Sequence, residues 1–339
     1  MEKYTKKRWR CCGEGGDAAR LGLVARVVLQ IGRFLEECQG VAFSTRDGVG
    51  IPGGDLLMNT KSQAAKAEQL RKLHQGPRIL VLPNASDVAS ARVLEDLGYP
   101  AIATSSAGVA ALQGYPDGQR ISRLEMLDVV GRIARAVRVP VTADMEAGYG
   151  STAKDMAETA RAVLAAGAVG MNLEDVTGDD ESSQVDTSLQ MEKIATIREV
   201  SASLGVPLVL NARTDIYLMP IGTEATRFER TVERLRAYRK AGADCVFAPG
   251  IRDREIIARL VKAIEAPLNI LVSPGCPTIP ELEKIGVARA SVGSGLTRAM
   301  LGLVRRIGKE LMESGTYTSL LDGAIPFAEV NRMMARGQS

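Results

Sequence analysis

Eight short apolar runs separated by stretches of helical periodicity constrain this chain more than any other feature. The runs are Ile79–Leu82, Ala101–Thr104, Val139–Thr142, Val169–Leu173, Pro207–Leu210, Cys245–Ala248, Leu268–Val272 and Ala290–Val292. Between them, Val88–Leu97, Arg123–Val137, Ala153–Ala166, Met191–Leu204, Ala225–Ala241, Glu255–Ile264 and Ile279–Ile285 repeat apolar residues at helical spacing. Gly98, Gly167, Gly205, Gly242 and Gly286 stand at helix exits, where a left-handed closing residue belongs. Strand–helix alternation implies a parallel sheet, and eight strands close into a (β/α)8 barrel. A doubly wound open sheet is the alternative, but no Gly-x-Gly-x-x-Gly turn follows the first run.

The barrel is expected over residues 58–312, with a helical segment over 313–339 and an N-terminal extension over 1–57. Five of the first ten residues are basic, and the apolar stretch Leu21–Leu35 is interrupted by Arg26 and Arg33. It is too broken for the core of a signal peptide. Met58-Asn59-Thr60-Lys61-Ser62, ahead of the helical pattern Ala64–Leu73, looks like a more usual protein start; an upstream extension of the reading frame is one reading of residues 1–57, an appendage of uncertain order.

Composition removes several function classes. A net charge of +3 and 4% aromatic residues give neither a basic footprint nor stacking platforms for nucleic acid. No apolar run approaches the roughly 18 residues of a spanning helix, so no membrane is expected. Cys11, Cys12, Cys38, Cys245 and Cys276 form no C-x-x-C pair, which points to the reducing cytoplasm. The one histidine, His74, precedes the first strand, so a Ser-His-Asp triad or a histidine-rich metal site is excluded.

Barrels carry their chemistry where strands end. Those ends hold Asn84 and Asp87, then Ser105-Ser106-Ala107-Gly108 and Asp117, then Asp144 and Glu146, then Glu174 and Asp175, then Asn211, Arg213 and Asp215. Alternation along a strand is expected to point Asp144 and Glu146 the same way. Carboxylates crowding the ends of the second to fourth strands are costly unless a cation neutralises them. A hard divalent ion such as Mg2+, or Mn2+ in its place, takes carboxylate oxygens and keeps several waters.

These residues resemble the isocitrate lyase and phosphoenolpyruvate mutase superfamily. The motifs are Leu82-Pro83-Asn84-Ala85-Ser86-Asp87, Thr104-Ser105-Ser106-Ala107-Gly108-Val109-Ala110, Tyr115-Pro116-Asp117, Asp144-Met145-Glu146-Ala147-Gly148-Tyr149-Gly150, Asn172-Leu173-Glu174-Asp175 and Asn211-Ala212-Arg213-Thr214-Asp215. The resemblance implies a (β/α)8 barrel whose last helix is exchanged with a neighbouring subunit, in a dimer or tetramer. Tyr317–Met334 resembles that closing segment, and a helix capping its own barrel is the alternative. It also implies a Mg2+ site with Asp144 as the most direct ligand and Glu146, Glu174 and Asp117 reaching the ion or its waters. Ser105, Ser106 and Ala107, with Asn211 and Arg213, would hold the substrate, a small α-oxo or 2-hydroxy acid or a phosphonate, which reacts through an enolate.

One departure is plain. Lyases of the superfamily carry a Lys-Lys-Cys-Gly-His type loop after the fourth strand, and mutases carry a lysine there. This chain has Val176-Thr177-Gly178-Asp179-Asp180-Glu181-Ser182-Ser183-Gln184-Val185-Asp186-Thr187, without cysteine, histidine or lysine. Asp179 or Glu181 is then the acid–base candidate, beside Asp117 and Arg213, if the loop closes. An acidic loop repels a highly charged phosphonate more than a plain oxo acid. Two other readings stay open: a protein that binds an oxo acid without turning it over, and a barrel that binds phosphate at Gly293-Ser294-Gly295.

Overall fold

The computed structural model describes residues 53–178 and 183–335. Helix α1 (Gly53–Leu73) leads into β1 (Leu80–Leu82) and β2 (Asn84–Ala85). Then follow α2 (Val88–Asp96), β3 (Ile102–Thr104), α3 (Ser106–Leu112), α4 (Arg123–Ala136), β4 (Val141–Asp144), α5 (Ala153–Ala165), β5 (Gly170–Glu174) and α6 (Thr187–Ser203). The second half runs β6 (Val209–Arg213), α7 (Glu224–Ala241), β7 (Cys245–Phe247), α8 (Arg254–Ile264), β8 (Leu268–Leu271), α9 (Ile279–Ile285), β9 (Arg289–Ser291) and α10 (Gly295–Glu313). Two short helices, α11 (Thr318–Leu321) and α12 (Phe327–Ala335), end the described chain.

All strand pairs are parallel, in the order β1-β9-β8-β7-β6-β5-β4-β3-β2. Among the described residues nine strands replace the expected eight, because Pro83 interrupts the first run. It has no N–H to give the ladder, although its carbonyl still accepts from Ala103 N at 3.0 Å. Since β1 pairs with β9 and β2 with β3, the interrupted first strand closes the (β/α)8 barrel.

The sequence reading placed two strands too early. β4 runs to Asp144 and β6 to Arg213, so Asp144, Asn211 and Arg213 belong to strands rather than to the loops after them. Their polarity ended the apolar runs before the ladder ended. Helices begin and end on local chemistry: Ser122 and Glu125 form a capping box on α4, and Gly242 closes α7 at φ 117°, a conformation that suits glycine.

Helix α1 covers the amino-terminal mouth of the barrel. Ala67 and Leu70 are fully buried, Gln63 Nε2 donates to Leu164 O at 2.7 Å, and Arg71 reaches Asp244 Oδ1 at 3.0 Å and Pro207 O at 3.1 Å. The carboxyl ends of the strands are thus the open mouth. At the other end of the chain, Arg92 of α2 donates to the carbonyls of Met333, at 2.8 Å, and Met334. The tail therefore lies on its own barrel, and exchange between subunits is not shown. Among the described residues no helix is long and apolar enough to cross a membrane, and Cys245 and Cys276 are free thiols.

Candidate functional site

Asp144 ends β4 at the open mouth and is 8% exposed. One carboxylate oxygen accepts from the Ser106 amide and from its hydroxyl, both at 2.9 Å. The other accepts from Asn172 Nδ2 at 3.1 Å. Ser106 was expected to hold substrate; instead both of its donors are spent on Asp144. Ser105 caps α3, its hydroxyl accepting from Gly108 N at 3.3 Å. Ala107 follows in the first turn, where a helix start leaves amides without intrahelical acceptors.

Glu146 reaches the same region by a route that strand alternation does not describe. β4 has ended at Asp144, and Glu146 turns into the left-handed region at φ 51°. Its carboxylate is clasped by the Gln119 amide and by Tyr149 OH at 3.1 Å, while Tyr149 N donates to Gln119 Oε1 at 2.8 Å. Burial pushes Glu146 up to about 7, and the charges of Asp144 and Asp117 add to the shift against the Gln119 bond. Asp117 lies on the exposed loop between α3 and α4, yet desolvation of its carboxyl and the Asp144 charge hold it above the ordinary range.

Glu174 and Asp215 flank Arg213. The guanidinium meets Glu174 Oε2 at 2.7 Å through Nη1 and Asp215 through Nε and Nη2 at 2.5 and 2.9 Å. Burial drives Glu174 well above the usual carboxylate range, with Arg213 pulling it back and Asp215, Asp144 and Glu146 pushing it further. Arg213 also lies 5.8 Å from the Phe247 ring centre. The expected free donor pair is therefore a partly occupied fork. Asn211 is fully buried and donates to Asn172 Oδ1 at 2.8 Å, so it supports the site from below.

Asp117, Asp144, Glu146 and Glu174 thus share one electrostatic neighbourhood. Among the described residues, however, no three of the His, Cys, Asp or Glu side chains are arranged to hold an ion together. The anticipated trio of Asp144, Glu146 and Glu174 is not assembled as a direct cage. Glu174 faces Arg213, and Glu146 is held by Gln119 and Tyr149. The donor set still fits a hard cation, because Asp117, Asp144 and Glu146 have no ion-pair partner among the described residues. Mg2+ is commonly held by one or two carboxylates, with waters completing its shell.

The base of the loop after β5 is pinned. Val176 bridges Gln184 in antiparallel fashion, Thr177 N donates to Ser183 O at 3.1 Å, and Val185 N donates to Asp175 O at 2.8 Å. Asp175 is fully buried, accepting from Thr214 Oγ1 and Tyr238 OH at 2.7 Å and Arg234 Nη1 at 3.0 Å. It is a fastening rather than a rim group. Glu181 and Asp179 lie outside the described residues. Sequence reasoning missed Gln119 and Tyr149 as partners of Glu146; no spacing rule points to either.

A parallel barrel with clustered carboxylates and one arginine at the carboxyl ends of its strands defines an α/β-barrel enzyme of the lyase or phosphonomutase type. The chain belongs to the phosphoenolpyruvate phosphomutase family, whose model matches residues 70–312. It is 28% identical over 259 residues to the 2-methylisocitrate lyase of Aeropyrum pernix, covering 75% of this chain and 82% of that one. A crystal structure described as a lyase/mutase from Burkholderia cenocepacia J2315 superposes with a TM-score of 0.76 at 38% identity, over 81% of this chain and 97% of the other. Oxaloacetate acetylhydrolase, solved with its product oxalate, gives 0.71 at 27% identity, over 79% and 93%.

Proposed function

We propose that this chain is a Mg2+-dependent lyase that acts on a small α-oxo or 2-hydroxy carboxylic acid, breaking or forming the bond next to the carbonyl. The carrying observation is the group of Asp144, Glu146 and Asp117 at the barrel mouth: Asp144 and Glu146 are buried, burial and the Asp144 charge raise the proton affinity of Glu146 and of Asp117, and none of the three has an ion-pair partner among the described residues. Bound there, Mg2+ supplies Lewis-acid stabilisation of the negative charge that grows on substrate oxygens when that bond breaks.

The chain's own residues set the geometry. Ser106 and Asn172 fix both oxygens of Asp144. Glu146 is turned inward by Gln119 and Tyr149. Arg213, permanently charged and planar, offers the N–H groups left over from Glu174 and Asp215 to a substrate carboxylate. The Ala107 amide, in the first turn of α3, donates to a remaining anionic oxygen. Asp117, held above the ordinary carboxylate range, is the rim group best suited to keep and release a proton. The relatives support the substrate class, since they include enzymes named for 2-methylisocitrate and oxaloacetate.

The absence of cysteine, histidine and lysine from residues 176–187 favours a second reading, a protein that binds an oxo acid in a Mg2+-dependent way without turnover. In either case the apolar surface of the last helices suits a dimer or tetramer. Turnover of oxaloacetate, 2-hydroxy dicarboxylates and phosphonopyruvate, with and without Mg2+, tests the proposal. Metal-dependent turnover that disappears in Asp144→Ala supports the lyase reading. Mg2+-dependent binding of oxalate with no turnover selects the second, and neither binding nor turnover removes both.

A further inference from the structure

The barrel interior contains a charge that the site described so far does not use. Arg289 of β9 is 1% exposed and makes no ion pair among the described residues. Its Nε and Nη1 atoms have no hydrogen-bond partner there. A guanidinium withdrawn from water without a bound carboxylate is expensive, and apolar side chains would fill a barrel interior more cheaply. Its remaining terminal nitrogen, Nη2, lies 3.5 Å from Asn172 Oδ1.

That contact fixes the sense of the Asn172 amide. The same oxygen accepts from Asn211 Nδ2 at 2.8 Å, so the amide nitrogen must face the other way. There it donates to Asp144 Oδ1 at 3.1 Å. Asp144, Asn172 and Asn211 stand directly opposite one another on β4, β5 and β6, so the chain of contacts runs along one level of the barrel wall. Burial lowers the proton affinity of Arg289, and Cys245 and then Asp144 oppose that; Asp144 is the one carboxylate among these groups. His74, buried nearby, donates through Nδ1 to Leu70 O at 2.8 Å and brings no competing negative charge.

We infer that Arg289 is a positioning residue for Asp144: a buried guanidinium that acts through Asn172 to hold the carboxylate in its place at the barrel mouth and to supply part of its counter-charge. The inference rests on the reading of Asp144 as the ligand of a divalent ion. Arg289 touches no substrate. Its role is to keep one carboxylate oriented, with both oxygens engaged, before an ion arrives.

The test is Mn2+ affinity of the full-length, metal-free protein, followed by electron paramagnetic resonance in the absence of substrate, with melting temperature recorded alongside. Partners that orient a ligand typically contribute about ten- to a hundredfold in metal affinity. Arg289→Gln, which keeps polarity and drops the charge, is expected to weaken Mn2+ binding by about that factor. Arg289→Lys, which keeps the charge but not the forked geometry, is expected to fall between it and the parent. A merely structural role would lower the melting temperature of both variants and leave Mn2+ affinity unchanged. Either variant, folded and binding Mn2+ as tightly as the parent, overturns the inference. If the parent itself fails to bind Mn2+, the metal reading falls separately. Crystal structures of the parent and Arg289→Lys then decide the point: an Asp144 carboxylate turned away from Ser106 supports positioning, and one left in place overturns it.

Discussion

Ser106 grips a single oxygen of Asp144 twice, through its amide and its hydroxyl, each at 2.9 Å. The amide belongs to the first turn of α3, and the aspartate ends β4, the neighbour of β3 from which that helix departs. Backbone geometry alone supplies half of this grip. The hydroxyl supplies the rest.

Ser106→Ala therefore keeps the amide bond and removes one donor to a buried charge. A hydrogen bond to a charged group contributes about 1.5–3 kcal/mol, so Mn2+ affinity is expected to fall by roughly ten- to a hundredfold, with Ser106→Thr retaining most of it. Titration of both variants with Mn2+ checks this. Equal affinity of Ser106→Ala and the parent would show that the amide suffices.

Arg213 lies between Glu174 and Asp215 and is nearly buried. Replacing it with methionine strands two carboxylates, and breaking a buried pair in this way costs about 3–5 kcal/mol. In the variant both acids have folded pKa values above their unfolded ones, so the folded state holds more protons. Stability then falls as pH rises through that interval. Urea unfolding at pH 5 and pH 8 should show a larger deficit for Arg213→Met at pH 8. A deficit that does not change with pH would mean the acids find other partners.

The barrel was legible in the sequence because its strands are buried on both faces and read as apolar runs, while its helices keep their own period. What was lost lay at the strand ends. Asp144, Asn211 and Arg213 face the mouth or the interior in extended backbone, and their polarity made the strands look two or three residues shorter at that end. Alternation from Asp144 to Glu146 failed for a related reason: the strand stops and Glu146 adopts φ 51°, so its inward placement depends on the Gln119–Tyr149 clasp. That clasp joins residues 30 positions apart and has no signature in spacing. The carboxylates were recognisable as a rim group, but the diversion of Glu174 to Arg213 required coordinates.

The C-terminal elements expose more apolar surface than a lone barrel needs. Val304 is 65% exposed, Leu321 66% and Phe327 83%, and apolar side chains exposed to that degree would be covered in an assembly. Light scattering is expected to show a dimer or tetramer for the parent and a smaller species for Val304→Glu combined with Phe327→Asp. A parent that remains monomeric at high concentration would assign these side chains to some other contact.

His74 predicts acid sensitivity of opposite sign to the rim. Burial, with the Arg289 charge next, lowers it from 6.5 to about 4. The unfolded chain therefore binds the proton first, and His74 contributes stability that is complete above pH 6.5 and lost as pH falls toward 4. The shift corresponds to roughly 3 kcal/mol. His74→Leu should flatten the stability profile between those limits, measured by urea unfolding as the difference from the parent; a difference independent of pH would place the charging elsewhere.

Glu146 acts in the other direction, and the metal reading makes its effect conditional. In metal-free protein it is pushed up from 4.5 to about 7 by burial and then by Asp144 and Asp117. The folded state thus keeps a proton that the unfolded chain has released. Its contribution is intact below pH 4.5 and is lost as pH rises through 7. A bound divalent cation favours the ionised form and reverses that loss, so Mg2+ should raise the melting temperature more at pH 8 than at pH 5. In Glu146→Gln the metal-free protein should lose this decline between pH 5 and pH 8, and Mg2+ should stabilise it less at pH 8 than it stabilises the parent. Melting curves at the two pH values, with Mg2+ or with a chelator, give all the terms as differences within one protein. Equal Mg2+ stabilisation at pH 5 and pH 8 in the parent would separate Glu146 from the ion and leave Asp144 and Asp117 as its acidic neighbours.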